Sequence, residues 1–159
     1  RGAFFGSVIG TLNHILIGDI LWLKRFARHP SGYRTLEPVL AIDDPTSLRE
    51  IRHLDWAELQ AVRGRMDQMI VDWCAEVREE DLARPLAYRD FAGRPHCKNL
   101  GGLALHLFLH QIHHRGQVTT LLSQAGIDFG DTDLPELLPE EGPMLGGGAA
   151  TAEGGSRLA

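Results

Sequence analysis

At 159 residues, 43% apolar and 23% charged, the chain has the size and balance of one globular domain and not of a disordered segment. Its formal net charge of −5, with no run of Lys or Arg, argues against a surface that neutralises nucleic-acid phosphates. Two cysteines, Cys74 and Cys97, stand in no paired motif, which suits a reducing, cytoplasmic setting and gives no disulfide framework.

In chain order, the first apolar segment, Val8 to Phe26, is interrupted by His14, Asp19, Lys24 and Arg25. It predicts an amphipathic helix, not a membrane span, and the polar stretch after it carries no secretory cleavage pattern. The helix runs from Ser7 to Arg28 and stops at His29-Pro30-Ser31-Gly32. A loop follows through Pro38 to Pro45. Ser47-Leu48-Arg49-Glu50 has the form of a capping box and predicts the start of a second helix that ends near Val77. Val62, Met66, Met69, Trp73 and Val77 recur at helical steps and form its buried stripe, with Gly64 weakening it modestly. Leu86 to Pro95, with prolines at both ends and a Gly turn, reads as a loop or a short β-hairpin. Asn99 then caps a third helix over Leu100–Gln124, and Gly126 suits its C-terminal end. Residues 1–140 form the expected domain, and the Gly/Ala-rich 141–159 a flexible tail.

Four of the eight histidines fall within nine residues: His106, His110, His113 and His114. On a helix that advances about 100° per residue, His110 and His114 lie inside the apolar face and His106 and His113 on its shoulder. An i, i+4 histidine pair can aim two imidazoles at one point, whereas two buried neutral rings without partners are costly. A metal site needs a third protein ligand. His14 is favoured, because Gly18 leaves room beside its imidazole one turn on, but His53, His96 and Cys97 stay in contention on spacing alone. Gln117 reads either as a surface amide or as the partner that sets an imidazole tautomer. Asp19 reads as the same kind of partner or as half of an ion pair, and Trp22 as pocket lining or core.

The string His110-Gln111-Ile112-His113-His114-Arg115-Gly116-Gln117, preceded by Leu105 to Leu109, resembles the last-helix motif of the DinB family of metal-dependent proteins. Gly10 to Trp22 resembles that family's histidine-bearing helix, and Leu121 to Gly126 with Thr132-Asp133-Leu134 its C-terminal pattern. The resemblance implies an all-α fold, a four-helix bundle of DinB/YfiT-like type, with one divalent metal ion on His14, His110 and His114. It also implies a helix ahead of the one bearing His14, which this sequence lacks, so truncation is expected at Arg1. Zinc, nickel, iron and manganese all suit three imidazoles. Relatives of the family transfer low-molecular-weight thiols to electrophiles. The resemblance therefore implies a metal-dependent thiol S-transferase with an open coordination position, acting as a homodimer without nucleic acid or membrane. A metal-dependent hydrolase and a non-catalytic metal-binding stress protein are the alternatives.

Overall fold

A computed structural model describes residues 3–139 and Gly142. The tail expected over 141–159 otherwise lies outside the described residues. The elements in order are α1 (Val8–Phe26), a 3₁₀ helix (Arg34–Ala41), α2 (Trp56–Glu76), the single turn α3 (Glu79–Leu82), β1 (Pro85–Arg89), β2 (Pro95–Asn99), α4 (Leu100–Gln124) and a 3₁₀ turn (Leu134–Leu137). The chain divides after Phe129 into a larger and a smaller compact unit, and the last 3₁₀ turn belongs to the smaller one. The larger unit holds all the other elements. No helix among the described residues is long and apolar enough to cross a membrane.

Helix α1 is buried along most of its length, which explains why its sequence carries so few charges. Ser7 caps it, its Oγ accepting from the Gly10 amide at 2.9 Å. Gly10 is required here: a Cβ at that position would sit 2.2 Å from the Phe5 carbonyl oxygen, so only glycine lets the entering chain fold back over the first turn. Leu16, Ile20, Leu23 and Phe26 of α1 meet Leu59, Met66, Ile70 and Trp73 of α2 and Leu100, Leu103 and Leu107 of α4 in one core. Burial of each such side chain contributes roughly 1.5–3 kcal/mol. Phe26 stacks on Trp73 with centroids 4.9 Å apart.

The predicted start of the second helix is displaced. Residues 47–54 are not helical, and α2 begins at Trp56, capped by Asp55, whose carboxylate accepts from the Glu58 amide at 2.9 Å. The capping chemistry of the Ser47–Glu50 string is used in an isolated turn instead. Ser47 Oγ accepts from the Arg49 amide, while Glu50 accepts from the amide and hydroxyl of Thr46. The reason is tertiary. Buried Asn13 on α1 accepts from the amides of Arg52 and His53 at 2.9 and 3.0 Å and donates to the His53 carbonyl at 2.8 Å. These bonds take the backbone groups that a helix would have used and hold the segment extended against α1. The expected loop after α1 is also more ordered than its sequence implies. Its 3₁₀ helix buries Leu36 and Val39 and hands the amides of Arg34 and Thr35 to Glu76 at the end of α2.

The last helix lies where the sequence puts it, and of the two readings of Leu86 to Pro95 the hairpin forms, its second strand running on to Asn99. β1 and β2 pair antiparallel, with Ala87 opposite Cys97, and Gly93 takes φ 79° in the turn. Leu86 reaches the core from β1. Asn99 caps α4, its Oδ1 accepting from the Gly102 amide at 2.9 Å, and Gly126 follows the helix at φ 74°.

Candidate metal centre

Helices α1 and α4 lie side by side and bring three imidazoles together. One ring nitrogen from each of His14, His110 and His114 falls within 4.8 Å of the others. His110 and His114 are one turn apart on α4, so their rings point the same way. His14 meets them from α1, with ring centroids 5.0 Å from His110 and 4.5 Å from His114. Among the described residues this is the one group of three or more such side chains arranged to hold an ion.

The hydrogen bonds fix which nitrogens are free. His14 Nδ1 lies 2.8 Å from the Leu48 carbonyl oxygen, which can only accept, so Nδ1 carries the proton and Nε2 is left as a bare lone pair. His114 Nδ1 lies 2.8 Å from Gln117 Oε1 and is protonated for the same reason. The Gln117 amide nitrogen is 3.2 Å from His113 Nε2, which favours this orientation of the amide. His110 Nε2 stands 3.1 Å from His14 Nε2, two nitrogens facing across a short gap, and His110 Nδ1 is buried without a partner. Burial, with the neighbouring histidines adding to it, pushes the His110 imidazole down to about 4. Burial also lowers His14, against the pull of the Leu48 carbonyl. Both rings are therefore neutral near pH 7, the form that donates to a metal. Three converging imidazoles, two of them anchored at Nδ1 by carbonyl oxygens, are a donor set that fits a divalent cation.

Gly18 makes the convergence possible. A Cβ there would lie 2.7 Å from His110 Cε1. The room that the sequence places beside His14 is filled by the His110 ring.

The two sides of the cluster differ. The Phe5 ring stacks on His14 at 4.0 Å and meets His114 edge-on at 5.4 Å, so it covers one side. On another side opens a cavity of about 430 Å³, bordered by His14, His110, His106, Trp22, Arg25 and Phe91 of the hairpin turn.

The other residues singled out from the sequence fall as follows. Gln117 holds His114. Trp22 borders the cavity, its ring 5.1 Å from that of His106. Asp19 is buried and bonded to Arg63 and, at 2.9 Å, to the Gln111 amide, so its carboxylate is engaged away from the three rings. Burial raises its carboxyl, against the opposing pull of Arg63. His53 lies beside Glu58, His96 bonds Asp90 at 3.1 Å, and Cys97 is exposed on β2; none joins the cluster. Sequence reasoning missed the Leu48 carbonyl, Phe5 and the wall supplied by the hairpin turn. A backbone carbonyl has no sequence signature, and the capping-box reading had placed Leu48 inside a helix. Only the doublet Phe4-Phe5 ahead of α1 hinted at an apolar cover.

A family model described as DinB family matches residues 1–143. The protein named Protein DinB from Bacillus subtilis (strain 168) is 26% identical over 133 residues, which cover 81% of this chain and 70% of that protein. No solved structure matches. With three histidines gathered at the interface of α1 and α4 and a family match over nearly the whole chain, the protein belongs to the DinB family.

Proposed function

We propose that this protein binds one divalent metal ion on His14, His110 and His114 and is a metal-dependent enzyme of the thiol S-transferase type. The observation that carries the reading is the tautomer arrangement: Leu48 and Gln117 hold the Nδ1 protons of two rings and leave their Nε2 atoms free, that of His14 facing His110 Nε2. When bound, a divalent cation on three neutral ligands keeps its full charge and lowers the pKa of a thiol or water at its open position. The chain's own contribution is positional. Leu48 and Gln117 orient two rings, Gly18 admits the third, and Phe5 keeps water from one side. The cavity beside His110 offers space for a small substrate. Asp19, tied to Arg63 and Gln111, braces α1 against α2 and α4 around the site.

The same reading takes α1, α2 and α4 as three members of a four-helix bundle within a domain spanning 1–140, and takes the active form as a homodimer. In its support, Leu105, Phe108, Leu109 and Ile112 form an exposed apolar stripe at helical spacing along α4.

Metal analysis of protein purified without an affinity tag tests the centre. Wild type is expected to hold one equivalent and His110→Ala to lose it; a His110→Ala protein with full metal content removes the assignment. Conjugation of a small thiol to a haloarene, lost on chelation and restored by metal, is the expected activity. A metal response with ester or amide substrates only replaces it with hydrolysis.

A further inference from the structure

We propose that the cavity beside the histidine cluster recognises a substrate bearing a carboxylate, with Arg25 as the residue that binds it. The inference rests on the reading of the centre above only for the identity of the substrate's other end.

Three observations carry it. First, Arg25 borders the same cavity as His14 and His110. Its guanidinium carbon lies 4.4 Å from the Trp22 ring centroid and 5.0 Å from that of Tyr88, so two aromatic rings hold the cation in place. Second, the cation makes no ion pair among the described residues. The acid that shares the cavity, Asp90, is already taken: Arg94 reaches it at 2.7 Å, His96 at 3.1 Å, and the Ala92 and Arg94 amides at 3.0 and 2.9 Å. Burial, opposed in part by Tyr88 and Asp90, holds its guanidinium below the ordinary value, a cost that a bound anion would offset. Third, the spacing suits a small molecule. His110 packs against Gly18, and Arg25 lies seven residues further along α1, about 10 Å at the helical rise. The Arg25 side chain leans back over Trp22, one turn past Gly18, so a ligand spanning roughly 6–10 Å reaches from the cluster to the guanidinium. Trp22 and Phe91 supply apolar walls between the two ends. A guanidinium held by cation–π contacts keeps its N–H groups for bidentate recognition of a carboxylate.

The test is calorimetric titration of the zinc-loaded protein with three probes: 6-mercaptohexanoate, 6-mercaptohexanol and hexanoate. The expected result is that 6-mercaptohexanoate binds about tenfold or more tightly than 6-mercaptohexanol, as one charge-assisted pair should provide. Arg25→Gln should bring that ratio close to one, and Arg25→Lys should retain part of it. If circular dichroism shows Arg25→Gln unfolded, the wild-type ratio and the Arg25→Lys ratio decide. Equal affinity for the two thiols, or a preference that survives Arg25→Gln, overturns the carboxylate site while leaving the thiol reading in place. Hexanoate binding as tightly as 6-mercaptohexanoate, and dependent on Arg25, upholds the site and removes the thiol reading. Failure of all three probes to bind overturns both.

Discussion

Gly18 sets two free energies against each other at a single residue. In a helix interior, glycine is about 1 kcal/mol less favourable than alanine. Gly18→Ala gains that propensity in the metal-free protein but must also shift the His110 ring there, so its stability should change little. Yet the added Cβ must displace a ring carbon that would lie 2.7 Å away, and that ring is His110. Metal affinity should fall at least tenfold, measured by competition with a chromophoric chelator; unchanged affinity would mean that the ring can move without consequence. Asp81 offers a second test at this scale. Ser31 Oγ donates to Asp81 at 2.6 Å and, with Arg78, holds its carboxyl at about 2 against an ordinary 3.8. A depressed carboxylate stabilises the fold above its unfolded pKa, and that contribution disappears as pH falls through the folded value. The advantage of wild type over Asp81→Asn in urea midpoint should thus be full at pH 5 and shrink toward pH 2. A difference that does not change with pH would show that charge at Asp81 is not the cause.

At the scale of elements, the segment 47–54 is the instructive case. Its capping-box string was legible, but the reciprocal bonds of a capping box do not form: Ser47 Oγ accepts from the Arg49 amide and Glu50 from Thr46, and the helix does not start there. A capping box satisfies two amides, whereas Asn13 satisfies two amides and a carbonyl of this segment from inside the core. An asparagine in the middle of an apolar helix gave no hint of which distant backbone it would bind. Asn13→Ala would leave those groups without partners and should destabilise the protein by about 2–4 kcal/mol. It should also weaken metal binding, because the same segment carries the Leu48 carbonyl that orients His14. Urea denaturation and chelator competition measure the two effects, and a stable variant with intact metal binding would separate the segment from the site. Asn99 and Gly126 were read correctly because their work is local: each acts on backbone within a few residues of itself.

For the whole molecule, the exposed stripe of Leu105, Phe108, Leu109 and Ile112 is the feature that an isolated chain explains least. These residues lie at i, i+3, i+4 and i+7 on α4, the same helix that carries His110 and His114 on its inner face. A homodimer that covers the stripe should sediment as a dimer at micromolar concentration, and Leu109→Glu should shift it toward monomer. A wild-type monomer under those conditions removes the proposal.

The sequence by itself determined the helical class, the ends of α4 and the pairing of His110 with His114, because periodicity and capping act between residues one turn apart; it left Leu86 to Pro95 open between a loop and a hairpin. The third histidine was different. Spacing left His14, His53, His96 and Cys97 open, and family resemblance chose among them before geometry did. Only the tertiary structure decided the rest: that α1 and α4 pack side by side, that the Leu48 carbonyl and Gln117 hold the Nδ1 sides of two rings, that Gly18 yields its space to His110, and that Arg25 borders the cavity and makes no ion pair among the described residues. Each of these depends on which distant segments touch, and that is set by burial of a shared core rather than by any local pattern.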